Sequence, residues 1–271
     1  DREVKLRVPL HNIDGIVCFG RVLITHPAIT ECAANQVPIA LLSRSGRFIA
    51  SIRGPTSGNV LLRKAQYAAS EDAKAADIAR NLVLGKVANS RAVLLRHLRD
   101  HPDANPAGCV SAAVASLDGV VVRLQETAGL ETIRGLEGEA ASAYFGVFDH
   151  LIVSQKDKFQ FRGRSRRPPL DMANALLSFI YAILTNDATG ACEAVGLDPA
   201  VGFLHRDRPG RPGMALDLIE ELRAFVADRL VLSLINRQQV SARDFETVEG
   251  GAVHLTDKAR RAGLTTYQKR K

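Results

Sequence analysis

The spacing of hydrophobic residues changes once along the chain. Up to about residue 53, apolar positions alternate with polar ones or form short runs between glycines, a pattern typical of β-strands. Beyond residue 58, they recur every three or four positions, which predicts helices. The sequence GPTSG at residues 54–58 separates the two regions. We therefore predict an α+β fold, with a small N-terminal β-rich domain over residues 1–57 and a larger helical domain over residues 58–271.

The N-terminal region offers several short elements but little material for a core of its own. Five apolar segments alternate or cluster over four to nine residues each, and polar or glycine-containing turns separate them. The predicted strands cover residues 4–8, 16–19, 37–42 and 47–53, the predicted helix covers residues 27–35, and the predicted turn covers residues 43–46.

The helical region is longer and ends in a small strand pair. The apolar run near residues 170–186 is hydrophobic on most sides, so we expect that helix to lie in the middle of its domain. The predicted helices cover residues 60–84, 89–97, 110–127, 131–153, 170–186 and 188–195, and a further one after the loop with Arg206, Arg208 and Arg211 carries Asp217 and Glu220 and continues to residue 230. A helical turn at residues 241–245, a hairpin at residues 247–255 and a basic amphipathic end at residues 257–271 follow.

Composition narrows the class of protein. The chain has 271 residues and a formal net charge of +7, which favours polyanionic partners without establishing one. Its four cysteines form no CxxC pair, so we expect buried thiols in a reducing compartment, the cytoplasm. The longest apolar run, residues 175–184, is too short to span a bilayer, and we expect no membrane association and no signal peptide. The start at Asp1 and the basic end at residues 268–271 suggest a piece of a longer protein.

One stretch of the helical region gathers groups suited to chemistry. His205 leaves a short apolar run, and Asp217 and Glu220 follow three positions apart, which places both carboxylates on one face of a helix. Oxygen ligands with one imidazole suit Mg²⁺ or Mn²⁺. The intervening loop carries Arg206, Arg208 and Arg211, which indicate an anionic substrate such as a phosphate.

The same residues also fit a structural interpretation. Acid pairs at this spacing are common on solvated helix faces, and an acid near a helix start can simply complement the helix dipole. A lone histidine before a Pro-rich loop is more often structural than a metal ligand. A metal site therefore needs a third ligand from elsewhere in the chain.

Glu137 is the candidate for that third ligand. It lies beside the apolar stripe of the predicted helix 131–153, between Gly135 and Gly138. Because glycine carries no side chain, these neighbours allow a ligand or another backbone to approach closely.

A basic loop at residues 156–169 gives a second candidate for contact with nucleic acid. Its sequence, KDKFQFRGRSRRPP, interleaves two phenylalanines with cations. The loop is either a solvated charged segment or a clamp on a phosphate backbone with Phe159 and Phe161 placed to stack or wedge. Arg63 and Lys64 are weaker candidates. The loop cations proposed to contact phosphates are Arg162, Arg164, Arg166 and Arg167.

Three segments, in this order, carry a family resemblance: IRGLEGEAASAYF, FQFRGRSRRPPLDMANALLSFIYAIL and GLDPAVGFLHRDRPGRPGMALDLIEELR. With VPLHNIDGIVCFG and LLSRSGRFIASIRGPTSGNVLLRKAQY near the start, they resemble the CRISPR-associated adaptation integrase, the endonuclease subunit of spacer acquisition. The resemblance covers nearly the whole chain and is closest to the shorter subtype linked with compact type I systems.

The resemblance implies a metal site and a reaction. The ligands of Mg²⁺ or Mn²⁺ would be Glu137, His205 and Glu220, the last standing where many family members have Asp. Asp217 matches a second acidic position and would be a ligand, a partner of a ligand or a helix charge. The implied reaction is transesterification, in which the 3′ ends of prespacer DNA join the repeat DNA.

The resemblance also implies partners and leaves two alternatives open. The family forms homodimers, partly through the β domains, and two dimers bridge to a small companion adaptation protein. Double-stranded DNA, as prespacer and repeat, is the substrate. The alternatives are a metal-dependent nuclease that only hydrolyses, and a DNA-binding scaffold whose acidic cluster is structural.

Overall fold

Strands come first along the chain and long helices follow. The structure is a computed structural model that describes residues 4–43, 48–55, 59–104 and 108–270. Together with short 3₁₀ turns, its elements are β1 (Ile16–Phe19), α1 (His26–Ala34), β2 (Ile39–Leu42), β3 (Phe48–Ile52), α2 (Val60–Glu71), α3 (Lys74–Asp100), α4 (Cys109–Glu126), α5 (Leu130–Gly146), α6 (Met172–Val195), α7 (Gly213–Leu222), α8 (Arg229–Asn236), β4 (Phe245–Thr247), β5 (Val253–Leu255) and α9 (Asp257–Gln268). The α+β class is confirmed.

The N-terminal region is a small three-stranded sheet with β2 in the centre. β1 pairs with β2 in parallel and β2 pairs with β3 antiparallel. Parallel neighbours need a crossover, and α1 supplies it. Buried Cys18, Cys32, Val37 and Ile39 form a small cluster between helix and sheet. The predicted strands near residues 16–19, 37–42 and 47–53 and the helix near 27–35 are confirmed, whereas residues 44–46 of the predicted turn and residue 47 of the last strand lie outside the described residues.

The strand predicted at residues 4–8 is wrong. This segment has no strand pairing in the described part of the chain, and Val4, Leu6 and Val8 are 62%, 78% and 47% exposed. Alternation of apolar and polar residues favours a strand only where another strand supplies backbone partners and a surface to cover. No such surface meets these residues within the described chain.

The helix predicted at residues 60–84 is wrong as one element, because α2 ends at Glu71 and α3 begins at Lys74, whereas two predicted interruptions further along are absent. Residues 74–100 form α3 without a break, and residues 172–195 form α6 without a break. Val83 and Val87, on either side of Gly85, are fully buried, so packing carries the helix through the break expected at residues 85–88. In α6, Asp187 accepts a hydrogen bond from the Tyr267 hydroxyl at 2.9 Å, which accommodates the polar interruption.

Helix α6 lies in the middle of the helical region, as predicted. Leu176, Leu177 and Ile180 are fully buried and belong to the main core. The helix is longer than the run considered from sequence, and by length and composition alone it is apolar enough to cross a membrane. Core helices of globular proteins meet the same criterion, and α6 packs against α7, α8 and α9.

The two regions are in contact. The Phe19 ring lies 5.6 Å from the Phe179 ring, between centroids, and the Arg53 guanidinium pairs with the Glu193 carboxylate. The domain boundary at residue 57 stays a prediction, and residues 56–58 lie outside the described part of the chain.

Of the four free cysteines, Cys18, Cys32 and Cys192 are buried, as expected. The expectation was wrong for Cys109, which is exposed at the start of α4.

A single π-helical turn, Arg223–Asp228, joins α7 to α8 and buries an acid. Asp228 is 1% exposed, and the Tyr181 hydroxyl donates to its Oδ1 at 2.6 Å. Burial raises the pKa of Asp228 to about 6 against the opposing effects of the Tyr181 hydroxyl and the Arg223 guanidinium. The folded state therefore binds a proton at Asp228 more tightly than the unfolded chain.

We predict that Asp228 makes the protein less stable as the pH rises from about 4 to about 6. The protonated acid is favoured in the folded state, so its contribution is present below pH 3.8, its ordinary pKa, and is lost as the pH passes the folded value near 6. As the pH rises from 4 to 7, the free energy of unfolding of Asp228→Asn should increase by roughly 2–3 kcal/mol relative to that of the wild type. Urea denaturation across this range measures the difference, and parallel curves for the two proteins would contradict it.

Candidate active site

Hydrogen bonds from two helices hold the segment that leads to His205. On α2, the buried Gln66 amide donates to the carbonyl oxygens of Asp198 and Val201 at 2.9 and 2.8 Å and accepts from the Asp198 N–H at 2.8 Å. On α5, Arg134 Nε donates to the Leu204 carbonyl oxygen at 2.6 Å. Two helices, α2 and α5, therefore hold the loop that leads to His205.

Asp217 holds the histidine itself. It is fully buried on α7, and its carboxylate accepts backbone N–H bonds from Phe203, Leu204 and His205 at 2.6, 2.9 and 3.0 Å. The His205 Nδ1 atom lies 2.6 Å from Asp217 Oδ1. Because a carboxylate only accepts, Nδ1 carries a proton, and Nε2 lies on the opposite side of the ring, where the Nδ1–H tautomer has its lone pair.

This geometry decides among the roles predicted for Asp217. Both of its oxygens are committed to the histidine segment, so it acts as the partner of a candidate ligand. The helix-charge alternative is wrong, because α7 begins at Gly213 and its first turn holds no acid.

Two glycines allow this close packing. A Cβ on Gly202 would lie 2.7 Å from Asp217 Oδ2 and 2.8 Å from the carbonyl carbon of Gly213, and a Cβ on Gly213 would lie 2.6 Å from the Ala200 carbonyl oxygen. The turn before His205 and the start of α7 therefore approach each other at a distance that only glycine permits.

Glu137, His205 and Glu220 face one pocket. His205 Nε2 lies 3.8 Å from Glu220 Oε1, and all three side chains line a cavity of about 380 Å³. The Lys86 ammonium, from α3, contacts the carboxylates of both Glu137 and Glu220, the latter at 2.6 Å from Oε2. Arg223 Nη2 lies 3.0 Å from Glu220 Oε1. Four elements, α3, α5, α7 and the His205 segment, thus converge at this point.

The acid on α7 is ionised despite its burial. Glu220 is 2% exposed. Burial raises its pKa, but the Arg223 guanidinium and the Lys86 ammonium outweigh that effect and lower the pKa to about 2. A buried carboxylate kept charged by two cations is available to bind a cation or to stabilise positive charge in a reaction.

Arginines form much of the pocket wall. Arg166, Arg208 and Arg211 line it, and Arg206, which also lines it, pairs with Glu131 at 2.7 Å. Burial and the nearby Arg208 lower the pKa of Arg211, which reflects the crowding of cations at this surface. Such a wall suits the oxygens of a phosphodiester.

The basic loop divides into three kinds of side chain. Arg166 reaches the pocket, whereas Arg162 and Arg167 are exposed and are not among the residues that line it. Arg164 Nη1 donates to Asn174 Oδ1 at 2.7 Å, and its guanidinium lies 5.2 Å from the Tyr181 ring centroid. Arg164 therefore holds the loop against α6.

The two loop phenylalanines are not placed to stack on bases. Phe159 and Phe161 are 1% and 5% exposed, so that part of the interpretation is wrong. The Phe161 ring lies 4.8 Å from the Phe148 ring and the Phe159 ring 5.7 Å from the Phe245 ring, between centroids. The aromatic residues anchor the loop in the core, while Arg162, Arg166 and Arg167 stay exposed. Arg63 and Lys64, on α2, are not among the residues that line the pocket.

The donor set fits a hard divalent ion. Two carboxylates and an imidazole nitrogen are suitable ligands for such an ion. Within the described residues, however, no group of three His, Cys, Asp or Glu side chains is arranged ready for a metal ion. The Lys86 ammonium contacts both glutamates instead.

Sequence reasoning missed Lys86 and Arg223 and assigned no role to Arg134. A signal for Lys86 was present, because Val83, Val87 and Ser90 surround it on the buried face of α3. A lysine at a buried position of a helix indicates an anionic partner. Arg223 follows Glu220 by three positions, the spacing of a helical ion pair. Gly135 and Gly138 face open space, where a Cβ would meet nothing within 4 Å, so they leave room for a ligand from outside.

We predict that Gly202→Ala destabilises the protein and disturbs the histidine. The added methyl group overlaps Asp217 and the Gly213 backbone, which should cost about 1–3 kcal/mol in urea denaturation. Gly119→Ala in α4 is the matched control, because its Cβ would meet nothing within 4 Å. The control should be neutral or stabilising by up to roughly 1 kcal/mol. Equal effects of both changes would refute the close approach at Gly202.

The chain is similar to known proteins along almost its whole length. The family described as CRISPR associated protein Cas1 matches residues 1–269. The CRISPR-associated endonuclease Cas1 2 of Rhodospirillum rubrum is 55% identical over 275 residues, covering 100% of this chain and 79% of the relative. The CRISPR-associated endonuclease Cas1 1 of Chlorobaculum tepidum is 50% identical over 272 residues, with the same shares covered.

A solved structure shares the fold as well. A casposase bound to its integration product superimposes with a TM-score of 0.83 at 28% sequence identity, over 95% of this chain and 70% of the casposase chain. With this fold and a match along almost its whole length, the chain belongs to the Cas1 family of CRISPR-associated proteins.

Proposed function

We propose that this protein is a divalent-metal-dependent DNA endonuclease and integrase of CRISPR adaptation, which joins the 3′ ends of prespacer DNA to repeat DNA. The observation that carries the proposal is the meeting of Glu137, His205 and Glu220 in one pocket walled by arginines. The relatives named endonucleases and the casposase bound to an integration product support it.

In this proposal, the residues that would hold Mg²⁺ or Mn²⁺ are Glu137, Glu220 and the Nε2 atom of His205. When bound, such an ion supplies Lewis-acid stabilisation of the negative charge that builds up around a reacting phosphate. Asp217 fixes the histidine tautomer and ring orientation, because it accepts from Nδ1 and from the three backbone N–H groups that precede or include His205.

The reaction is an exchange of phosphodiester bonds. The 3′-hydroxyl of the incoming strand forms a bond to phosphorus and loses a proton, while the bond from phosphorus to the leaving 3′-oxygen breaks and that oxygen gains a proton. Hydrolysis differs only in that water is the attacking group. The proposal assigns the phosphate oxygens to the wall formed by Arg166, Arg206, Arg208 and Arg211.

The proposal includes the partners that the family resemblance implies. The substrate is double-stranded DNA in the cytoplasm, and the working form is a homodimer that engages a small companion adaptation protein. Exposed apolar side chains in the N-terminal region support a partner surface there. They are Val4, Leu6, Val8, Val22, Leu23, Phe48 and Ile49.

We predict that Glu137→Gln, His205→Ala and Glu220→Gln each abolish cleavage and strand transfer while far-UV circular dichroism stays close to that of the wild type. Each change removes either a carboxylate charge or the imidazole nitrogen from the shared pocket and leaves the helices in place. The assay incubates the protein with labelled duplex ends, supercoiled plasmid and Mn²⁺, and resolves joined products from nicked ones. A loss of at least about 10²-fold is expected for each.

Glu139→Gln is the matched control. Glu139 lies two positions from Glu137 on α5, is exposed and pairs with Arg123, away from the pocket. It should retain activity. Nicked plasmid without joined products would favour the hydrolytic nuclease, and DNA binding with no turnover in any metal would favour the scaffold. Full activity of any one of the three pocket variants would remove that residue from the site.

We predict that the arginine wall sets the salt dependence of duplex binding. Arg208→Gln should reduce the slope of log affinity against log salt by about 0.9 for the phosphate contact it loses. Arg162→Gln tests the outer part of the basic loop, where the side chain is exposed and donates to Gln160 at 3.1 Å. Fluorescence anisotropy over a range of salt concentrations measures both slopes. An unchanged slope in Arg208→Gln would exclude it from phosphate contact, and an unchanged slope in Arg162→Gln would leave that loop position a solvated charge.

A further inference from the structure

Lys86 is the least expected group in the candidate site. Its ammonium, on α3, contacts the carboxylates of Glu137 and Glu220, two of the residues proposed to hold the divalent ion. We propose that Lys86 is a built-in competitor of that ion: its ammonium occupies the position between the two glutamates in the metal-free protein and leaves it when the ion binds. This inference rests on the proposed function and adds a control of metal affinity to it.

The burial of Lys86 is the first argument. The residue is 8% exposed and lies on the face of α3 that carries Val83 and Val87, both fully buried. A lysine is almost never this buried unless an anion pairs with it, because its charge loses hydration. The two glutamates supply that pairing, so in the metal-free protein the three charges stabilise one another.

The position of the ammonium is the second argument. The Lys86 Nζ atom lies 2.6 Å from Glu220 Oε2, a buried oxygen, and also contacts Glu137 Oε1. A metal ion bound by both carboxylates needs oxygens from the same pair. Two positive centres a few ångströms apart repel strongly in a site of low dielectric constant. The ion and the ammonium therefore cannot share this position.

The third argument is that a displaced side chain has space to occupy. Lys86 also lines a second cavity of about 390 Å³, whose wall includes Arg164, Arg166 and Arg223. Ser90, Tyr144, Tyr181 and Asp228 line the same cavity. These residues offer hydroxyl and carboxyl oxygens for an ammonium group. The side chain can rotate from the glutamates towards this cavity while α3 stays in place.

The consequence is a metal affinity below what the donor set alone would give. Part of the binding free energy of the ion is used to break the contacts of Lys86 with the two glutamates. Removing the ammonium while keeping the length and apolar stem of the side chain should remove this competition, and methionine meets that requirement.

The test titrates the full chain with Mn²⁺ alone, without DNA, by isothermal titration calorimetry and by the loss of the free-Mn²⁺ electron paramagnetic resonance signal. Lys86→Met should bind Mn²⁺ at least about tenfold more tightly than the wild type. Lys86→Arg, which keeps the charge, should not tighten binding. Lys74→Met controls for the loss of one positive charge, because Lys74 is exposed at the start of α3 and is not among the residues that line the pocket. It should change affinity less than about threefold, since solvent screens an exposed charge.

The outcomes separate this inference from the function it rests on. Tighter binding in Lys86→Met alone supports the competitor. Equal or weaker binding in Lys86→Met, with normal binding by the wild type, overturns the inference and leaves the proposed function standing. Absence of Mn²⁺ binding by the wild type and by all three variants overturns both.

A second measurement needs no variant, in case Lys86→Met does not fold. Wild-type protein is treated with acetic anhydride with and without saturating Mg²⁺, and acetylation of each lysine is quantified by peptide mass spectrometry. Acetylation of Lys86 should increase at least about threefold with Mg²⁺ relative to Lys64, an exposed lysine on α2. Unchanged protection of Lys86 at a Mg²⁺ concentration that saturates the protein in calorimetry would overturn the inference.

Discussion

The site depends on keeping negative charge in a place that excludes water. Glu220 is almost fully buried and Asp217 is fully buried, and an isolated carboxylate in such surroundings is strongly disfavoured. The structure offsets this cost because cations pair with the glutamates and N–H groups donate hydrogen bonds to Asp217. Lys86 and Arg223 neutralise the glutamates, and the histidine segment satisfies Asp217.

The rest of the fold provides these partners from distant parts of the sequence. Lys86 comes from α3, Glu137 from α5, and Glu220 and Arg223 from α7 and the turn that follows it, while α2 fixes the loop that leads to His205 through Gln66. The buried helix α6 lies behind them and places Tyr181 between Asp228 and the guanidinium of Arg223, whose centre is 5.0 Å from the Tyr181 ring centroid. The π-helical turn at residues 223–228 directs Arg223 and Asp228 to these partners.

The sequence predicted much of this because several features are local. The change from period two to period 3.6 separates sheet from helices, and the spacing of Asp217 and Glu220 follows from the helix alone. The strand at residues 4–8 was wrong because a strand needs a neighbour that local alternation does not reveal. Phe159 and Phe161 were misjudged for the same reason, since an aromatic residue between cations has the same pattern whether it enters the core or faces solvent. The roles of Lys86 and Asp217 depend on contacts between distant segments, and only the fold provides those contacts.

The most direct test of the central claim is the coordination of Mn²⁺ bound to the wild-type chain, measured by pulsed electron paramagnetic resonance. If Glu137, Glu220 and His205 Nε2 share one ion, the spectrum should show coupling to a single imidazole nitrogen. That coupling should disappear in His205→Ala. Bound Mn²⁺ without nitrogen coupling, or coupling that persists in His205→Ala, would contradict a site built from these three side chains.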